Sequence, residues 1–233
     1  VCPDMNATGK HRGSAAGRHA TMLCFLTTDL SISKPMLEKA LSVAVDQTFN
    51  RVVIDNDQST NDTVLILANG RAGNRTIRSQ DGRFRRFQSA LLCVCSSLAR
   101  SLVRDGEGVT HVCEVLVRGA RSPEEGRKVG RMISSSMLFK TMLAGGDPNW
   151  GRIMGSIGAS QAAFSPLLDI LFDGVPILVN GRHRLDNRGR IRQILRKKQF
   201  RLEINLKRGG DQERYWTTDL TKFYVWINSR YST

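Results

Sequence analysis

Five short strings of residues in this 233-residue chain carry polar side chains that could do chemistry. They are His-Ala-Thr-Met-Leu at 19–23, Ser-Thr-Asn-Asp-Thr at 59–63, Arg-Asp-Gly-Glu-Gly at 104–108, Gly-Gly-Asp-Pro-Asn-Trp-Gly-Arg at 145–152 and Trp-Thr-Thr-Asp-Leu-Thr at 216–221. Each string alone is explained by turn formation, because Asp-Gly, Asp-Pro and Gly-Gly occur in loops of any function. Their order and separation along the chain are therefore the more informative feature.

In this order the strings resemble one family, the ornithine acetyltransferases or bifunctional glutamate N-acetyltransferases of the ArgJ type. The resemblance runs from about Thr21 to Thr233. It implies a precursor that cuts itself between Ala20 and Thr21, so that Thr21 begins a β chain and becomes the catalytic nucleophile. It also implies the four-layer αββα sandwich of the self-processing DmpA/ArgJ type.

The chemistry expected at Thr21 follows from its place at a new chain terminus. A threonine hydroxyl is a weak nucleophile until a base removes its proton, and an adjacent N-terminal amine can be that base. An α-amine has a reference pKa near 8, so part of it is neutral around pH 7. The resemblance implies transfer of an acetyl group from N2-acetyl-L-ornithine to L-glutamate through acetyl-threonine. It implies no cofactor and leaves acetyl-CoA open as a further acetyl donor.

The same resemblance assigns substrate binding to Lys10, Thr21, Glu107, Asn228 and Thr233. Lys10 lies eleven residues before Thr21 and would hold a substrate carboxylate, with a solvated lysine as the alternative. Glu107 would contact substrate amino groups, with a solvated turn residue as the alternative. Asn228 and Thr233 would close the site from the C-terminal end. No metal site is predicted.

Lys10 and the Ala20–Thr21 junction match the family pattern, whereas residues 1–19 otherwise depart from it. We therefore expect residues 1–20 to be an atypical remnant of the α portion and residues 21–233 to be the β-chain catalytic domain. The resemblance implies an α chain from the same precursor, an (αβ)₂ heterotetramer, and oxyanion-hole donors supplied by the α portion. Two other functions stay open: a related N-terminal-nucleophile aminopeptidase, and an inactive fragment acting as a basic binding module.

Composition and charge distribution argue against a nucleic-acid-binding protein and against a membrane-spanning one. The net charge is +14, and residues 182–208 hold eleven Lys or Arg against two acids. Nucleic-acid binding is disfavoured because this segment has one aromatic residue, Phe200, and no stacking platform. No apolar run reaches the roughly 18 residues of a membrane span. The five cysteines lack metal-ligand or disulfide spacing, and the protein is expected to be cytoplasmic. Cys93 and Cys95 lie in an apolar stretch, so they are expected to be buried thiols.

Hydrophobic periodicity predicts a mixed α/β (α+β) fold. Helices are predicted at 33–45, where Ser33 and Pro35 suit a helix start, at 87–103, and at 122–137, where Ser122 and Glu125 form a capping box. Strands are predicted at 51–55, 63–68, 109–117, 168–179 and 200–206, and a turn or loop at 182–192. The order of the strands in a sheet is not predicted.

Overall fold

The computed structural model describes residues 22–230. These residues form two compact units: the first comprises residues 22–52 and 56–102, and the second comprises residues 53–55 and 103–230. Helices and strands occur in both units, which confirms the mixed α/β class. The predicted domain boundary after residue 20 lies outside the described residues.

The described strands are β1 (Leu23–Thr28), β2 (Val52–Val53), β3 (Thr63–Ala68), β4 (Val112–Ala120), β5 (Asp169–Phe172), β6 (Val175–Val179), β7 (Arg182–His183), β8 (Gln199–Asn205) and β9 (Asp211–Thr218). The described helices are α1 (Lys34–Gln47), α2 (Gly82–Arg104), α3 (Pro123–Ser135), α4 (Met137–Gly145), α5 (Trp150–Ala159), α6 (Arg188–Leu195) and α7 (Lys222–Asn228). None of these helices combines the length and apolar character needed to cross a membrane.

The first unit contains a parallel pair of strands, β1 and β3, whose register runs from Leu23 opposite Thr63 to Thr28 opposite Ala68. Helix α1 begins after Ser33 with Pro35 in its first turn, and it buries an apolar stripe consisting of Ala40, Leu41, Ala44 and Val45. Both features follow the predicted pattern, since Pro is tolerated where the backbone N–H has no helical partner.

The second unit is built on a seven-stranded sheet in the order β2-β9-β4-β8-β5-β6-β7. Strand β4 runs parallel to β8 and antiparallel to β9, so the centre of the sheet is mixed. Helix α3 packs on β4 and β9. Gly130 in α3 permits this approach, because a Cβ atom there would lie 2.5 Å from Cδ2 of Tyr215 in β9.

Three predictions about the local structure are wrong. The segment 168–179 is two strands, because Asp173 and Gly174 adopt φ angles of 44° and 79° and turn the chain into a hairpin. The predicted loop at 182–192 contains β7 and most of α6, which buries Ile191, Ile194 and Leu195. Cys93 is exposed, whereas Cys95 is buried as expected.

Two other strand predictions need new bounds. The strand predicted at 51–55 is reduced to the two residues of β2, which follow a short 3₁₀ turn at Phe49–Arg51. The strand predicted at 109–117 is β4, which begins three residues later and ends at Ala120. Such shifts are typical of sequence-based boundaries, because the ends of elements depend on tertiary contacts.

Candidate functional site

Met22 lies between the predicted nucleophile and strand β1, and both its main-chain N–H and its carbonyl are hydrogen-bonded. The N–H of Met22 donates to Oδ1 of Asp62 at 2.8 Å. The carbonyl oxygen of Met22 accepts from the N–H of Thr63, also at 2.8 Å. Because Thr21 is bonded to Met22, the start of β3 fixes the main chain next to position 21.

The Ser59–Thr63 string forms the turn that presents Asp62. Ser59 Oγ donates to Asn61 Oδ1 at 2.7 Å, and Thr63 Oγ1 donates to the carbonyl of Asn61 at 3.0 Å. Asp62 is only 1% exposed. Burial raises the pKa of its carboxyl group, and hydrogen bonds from the N–H groups of Met22 and Ser59 act in the opposite direction.

In the second unit, the loop after α2 carries Glu107 to Asn228 at the end of α7. Asn228 Nδ2 donates to Oε2 of Glu107 at 2.8 Å and to the carbonyl of Tyr224 at 3.0 Å. Glu107 is 8% exposed, so its carboxylate is nearly withdrawn from water. Two residues that the sequence assigned to substrate binding are therefore in direct contact.

The start of α7 holds the glycine that follows Glu107. Thr221 caps α7 by accepting the N–H of Tyr224 at 3.1 Å, and its hydroxyl donates to the carbonyl of Gly108 at 2.8 Å. Gly108 has a φ of +64°, and a Cβ atom there would lie 2.5 Å from the nitrogen of Tyr224. Any other residue would separate the loop from α7, which explains the second glycine of Asp-Gly-Glu-Gly.

Asp219, just after β9, binds two further residues of the same loop, Thr110 and His111. Its Oδ1 accepts the N–H groups of Thr110 and His111, both at 3.0 Å. Its Oδ2 accepts from Thr110 Oγ1 and lies 3.0 Å from Nδ1 of His111. The Trp216–Thr221 string thus positions residues 108–111, and through them the loop that carries Glu107.

Lys140 on α4 is buried against Thr217 and Thr218, the two residues that precede Asp219. Its Nζ donates to Thr217 Oγ1 at 2.9 Å, to the Thr218 carbonyl at 2.8 Å and to Thr218 Oγ1 at 3.1 Å. Burial lowers the pKa of Lys140 to about 7, while the charges of Asp219 and Asp55 oppose that change. Sequence reasoning missed Lys140, although a lysine between Phe139 and the apolar pair Met142–Leu143 is a detectable signal.

The Gly145–Arg152 string has structural contacts. Gly146 ends α4 in the left-handed conformation, with a φ of 61°. Asp147 forms an ion pair with Arg188 of α6 at 3.2 Å, and Arg152 donates to the carbonyl of Leu138 at 2.8 Å. The string therefore links α4 to α5 and α6.

The structure brings together two of the predicted site residues, Glu107 and Asn228. Lys10, Ala20, Thr21 and Thr233 lie outside the described residues, and their roles stay predictions. Asp62, Asp219 and Lys140 were not predicted as site residues. Asp62 and Asp219 lie within strings that the sequence singled out, but only the fold gives them partners.

Comparison with known proteins identifies the family. The model of the ArgJ family matches residues 3–233. Glutamate N-acetyltransferase of Methanocaldococcus jannaschii is 40% identical over 92% of this chain and 55% of its own length. The arginine biosynthesis bifunctional protein ArgJ of Thermotoga neapolitana is 41% identical, again over 92% of this chain and 55% of its own length.

A crystal structure of the arginine biosynthesis bifunctional protein ArgJ from Bacillus halodurans has a TM-score of 0.86 and is 36% identical. The match covers 90% of this chain and all of that chain. The present chain spans a little over half the length of the curated relatives, 55% in both cases above. On this evidence the chain belongs to the ArgJ family.

Proposed function

We propose that this chain is the catalytic part of a glutamate N-acetyltransferase that moves an acetyl group from N-acetylornithine to glutamate. The observation that carries the proposal is the contact between Glu107 and Asn228, two residues 121 positions apart. The matching relatives are named for this activity or for arginine biosynthesis. The related aminopeptidase and the basic binding module are therefore not favoured.

The Glu107–Asn228 pair suits recognition of an amino group. Both substrates carry one: the side-chain ammonium of N-acetylornithine and the α-amino group of glutamate. Asn228 uses its Nδ2 for Glu107 and Tyr224, and its Oδ1 lies on the opposite side of the planar amide. A buried carboxylate and an amide oxygen together supply the acceptors that an ammonium group needs.

The reaction we propose has two balanced halves. The hydroxyl of Thr21 attacks the acetyl carbonyl of N-acetylornithine, and the amide nitrogen takes up a proton and leaves as the amine of ornithine. The amine of glutamate then attacks the acetyl ester, which releases N-acetylglutamate and restores the hydroxyl. The α-amine of Thr21, freed by cleavage after Ala20, takes the hydroxyl proton in the first half. Lys10 and Thr233 are proposed to contact substrate, and acetyl-CoA stays open as a second donor.

An exposed apolar sheet face supports an α portion as partner. Leu23 and Phe25 of β1 and Leu65 and Leu67 of β3 lie on one face of the pair and are 44–68% exposed. A two-stranded sheet is marginal by itself, and a contiguous exposed apolar patch marks an interaction surface. We propose that the α portion covers this face, supplies the oxyanion-hole donors and assembles as an (αβ)₂ heterotetramer. The four described cysteines are free, which fits the reducing cytoplasm.

The test uses this chain together with the α segment of a family member. Incubation with N-acetylornithine alone should add one acetyl group to the peptide that begins at Thr21, detected by mass spectrometry. With glutamate varied, double-reciprocal plots should be parallel, because the covalent intermediate forms before the acceptor reacts. Thr21→Ala should abolish both results. Intersecting lines without acetylated Thr21 would mean direct transfer and would contradict the mechanism.

A further inference from the structure

We propose that Asp62 is the positioning residue for Thr21: by holding the peptide bond between Thr21 and Met22, it fixes the nucleophile for self-cleavage and for acetyl transfer. The inference rests on the proposed function, in which Thr21 is the nucleophile. In this proposal Asp62 acts on Thr21 through the main chain of Met22.

The geometry at the start of β1 carries this inference. The nitrogen that Asp62 binds at 2.8 Å belongs to Met22, and it is the amide nitrogen of the Thr21–Met22 peptide bond. Because a peptide group is planar, a hydrogen bond to its nitrogen constrains the orientation of the whole peptide group.

A second hydrogen bond holds Met22 through its carbonyl group. The carbonyl of Met22 accepts from the N–H of Thr63, the residue after Asp62. Asp62 and Thr63, two consecutive residues at the start of β3, thus hold the two main-chain polar groups of Met22, the residue before β1. This contact continues as the parallel ladder in which Leu23 pairs with Thr63. The main chain after position 21 then has little freedom to rotate.

Burying the carboxyl group of Asp62 costs free energy of hydration. A carboxyl group that is 1% exposed loses most of its hydration, which raises its pKa. N–H donors from Met22 and Ser59 compensate part of that loss. An apolar residue at the foot of β3 would avoid the cost, but it would leave the N–H of Met22 without this acceptor.

Positioning matters for both reactions of Thr21, because each begins with attack by its hydroxyl on a carbonyl carbon. A displacement of the nucleophile by about 1 Å costs on the order of 100-fold in rate. Losing the acceptor at Asp62 frees the peptide plane that carries Thr21. The expected defect therefore lies in the rate of attack and not in the affinity for N-acetylornithine.

The experiment compares Asp62→Ala, Asp62→Asn and the matched control Val64→Ala, each with the α segment of a family member. Val64 is fully buried two residues further along β3, and its truncation lowers stability by creating a cavity. Asp62→Asn retains an oxygen that can accept from Met22. Cleavage after Ala20, single-turnover acetylation of Thr21 and thermal unfolding are measured for each variant.

We expect Asp62→Ala to slow cleavage and acetylation by about 10- to 100-fold, with the KM for N-acetylornithine unchanged. Asp62→Asn should recover most of the loss, and Val64→Ala should react at the wild-type rate. Equal rates in Asp62→Ala and wild type would overturn the inference, as would a loss matched by Val64→Ala at equal stability. A wild-type chain that neither cleaves nor acetylates at Thr21 would overturn the proposed function itself, and the role of Asp62 with it.

Discussion

Replacing Asn228 by aspartate exchanges its side-chain amide for a carboxyl group. The substitution tests whether the contact with Glu107 depends on the amide as a hydrogen-bond donor. In the wild-type chain Asn228 Nδ2 donates to Glu107 Oε2 at 2.8 Å. Asn228→Asp replaces the donor with an acceptor, so two carboxyl groups meet where one amide hydrogen bond existed. Asn228→Ala removes the donor without adding a charge.

The free-energy cost follows from burial and charge. Loss of one hydrogen bond to a charged group costs about 1.5–3 kcal/mol when buried, and Asn228 is exposed, so we expect about 1 kcal/mol for Asn228→Ala. Two like charges 4 Å apart repel by about 1 kcal/mol in water and about 4 kcal/mol at an effective dielectric constant of 20. With one partner buried and one exposed, Asn228→Asp should cost about 2 kcal/mol beyond Asn228→Ala.

Urea unfolding at pH 7 and pH 4.5 measures both changes. The deficit of Asn228→Asp relative to Asn228→Ala should shrink at the lower pH, because protonation of one carboxyl group removes the repulsion. Ser229→Ala is the matched control, since the Ser229 hydroxyl donates to the nearby carbonyl of Trp226 at 3.1 Å and the substitution leaves the contact between Asn228 and Glu107 in place. In the enzyme supplied with an α segment, Asn228→Ala should raise the KM for N-acetylornithine about tenfold, the equivalent of about 1.4 kcal/mol.

Two results would contradict this expectation: Asn228→Asp being as stable as Asn228→Ala at pH 7, or a deficit that does not depend on pH. Either result would mean that Glu107 and residue 228 do not face each other as described. An unchanged KM in Asn228→Ala would be compatible with the observed contact between Asn228 and Glu107. It would contradict the proposed role of Asn228 in substrate binding.

Three further predictions concern self-cleavage, the activity of the chain without an α segment, and the buried Lys140. Intact-mass analysis of the folded chain should show Thr21 as a new N-terminus, and Thr21→Ala should prevent it; a folded chain that stays uncut for days would contradict self-processing. The chain alone should transfer acetyl groups about 10²–10³ times more slowly than with an α segment; full activity alone would contradict the need for donors from the α portion. The pKa of Lys140 is lowered from 10.5 to about 7 by burial, so its contribution to stability should be complete above pH 10.5 and lost as the pH falls through 7. The unfolding free energy should therefore rise with pH between these values by up to about 1.4 kcal/mol per pH unit more than in Lys140→Met; parallel curves would refute this.

Local signals account for the elements that the sequence predicted correctly. Ser122 caps α3 by accepting the N–H of Glu125 at 3.2 Å, a contact between residues three apart. Strand β8 follows from the alternation of apolar residues that begins at Phe200 and places one face in the core. Such signals need only the chain within a few residues, so a pattern is enough to find them.

Helix α6 shows where a pattern fails. Three of its eight residues are arginines, and most of it lies within the loop predicted at 182–192. Its apolar residues Ile191, Ile194 and Leu195 are nevertheless buried at helical spacing. Only packing against the rest of the second unit shows that this narrow apolar stripe is sufficient. The helix is therefore a result of tertiary burial and not of composition.

The sequence by itself determined the family and named Glu107 and Asn228 as candidates, because family patterns depend on residue identity and order. The tertiary structure alone decided which groups meet: Asp62 with the amide of Met22, 40 positions away, and Lys140 with Thr217, 77 positions away. It also decided the burial that lowers the pKa of Lys140. Hydration and hydrogen-bond partners depend on what packs around a group, and residues this far apart along the chain become neighbours only when it folds.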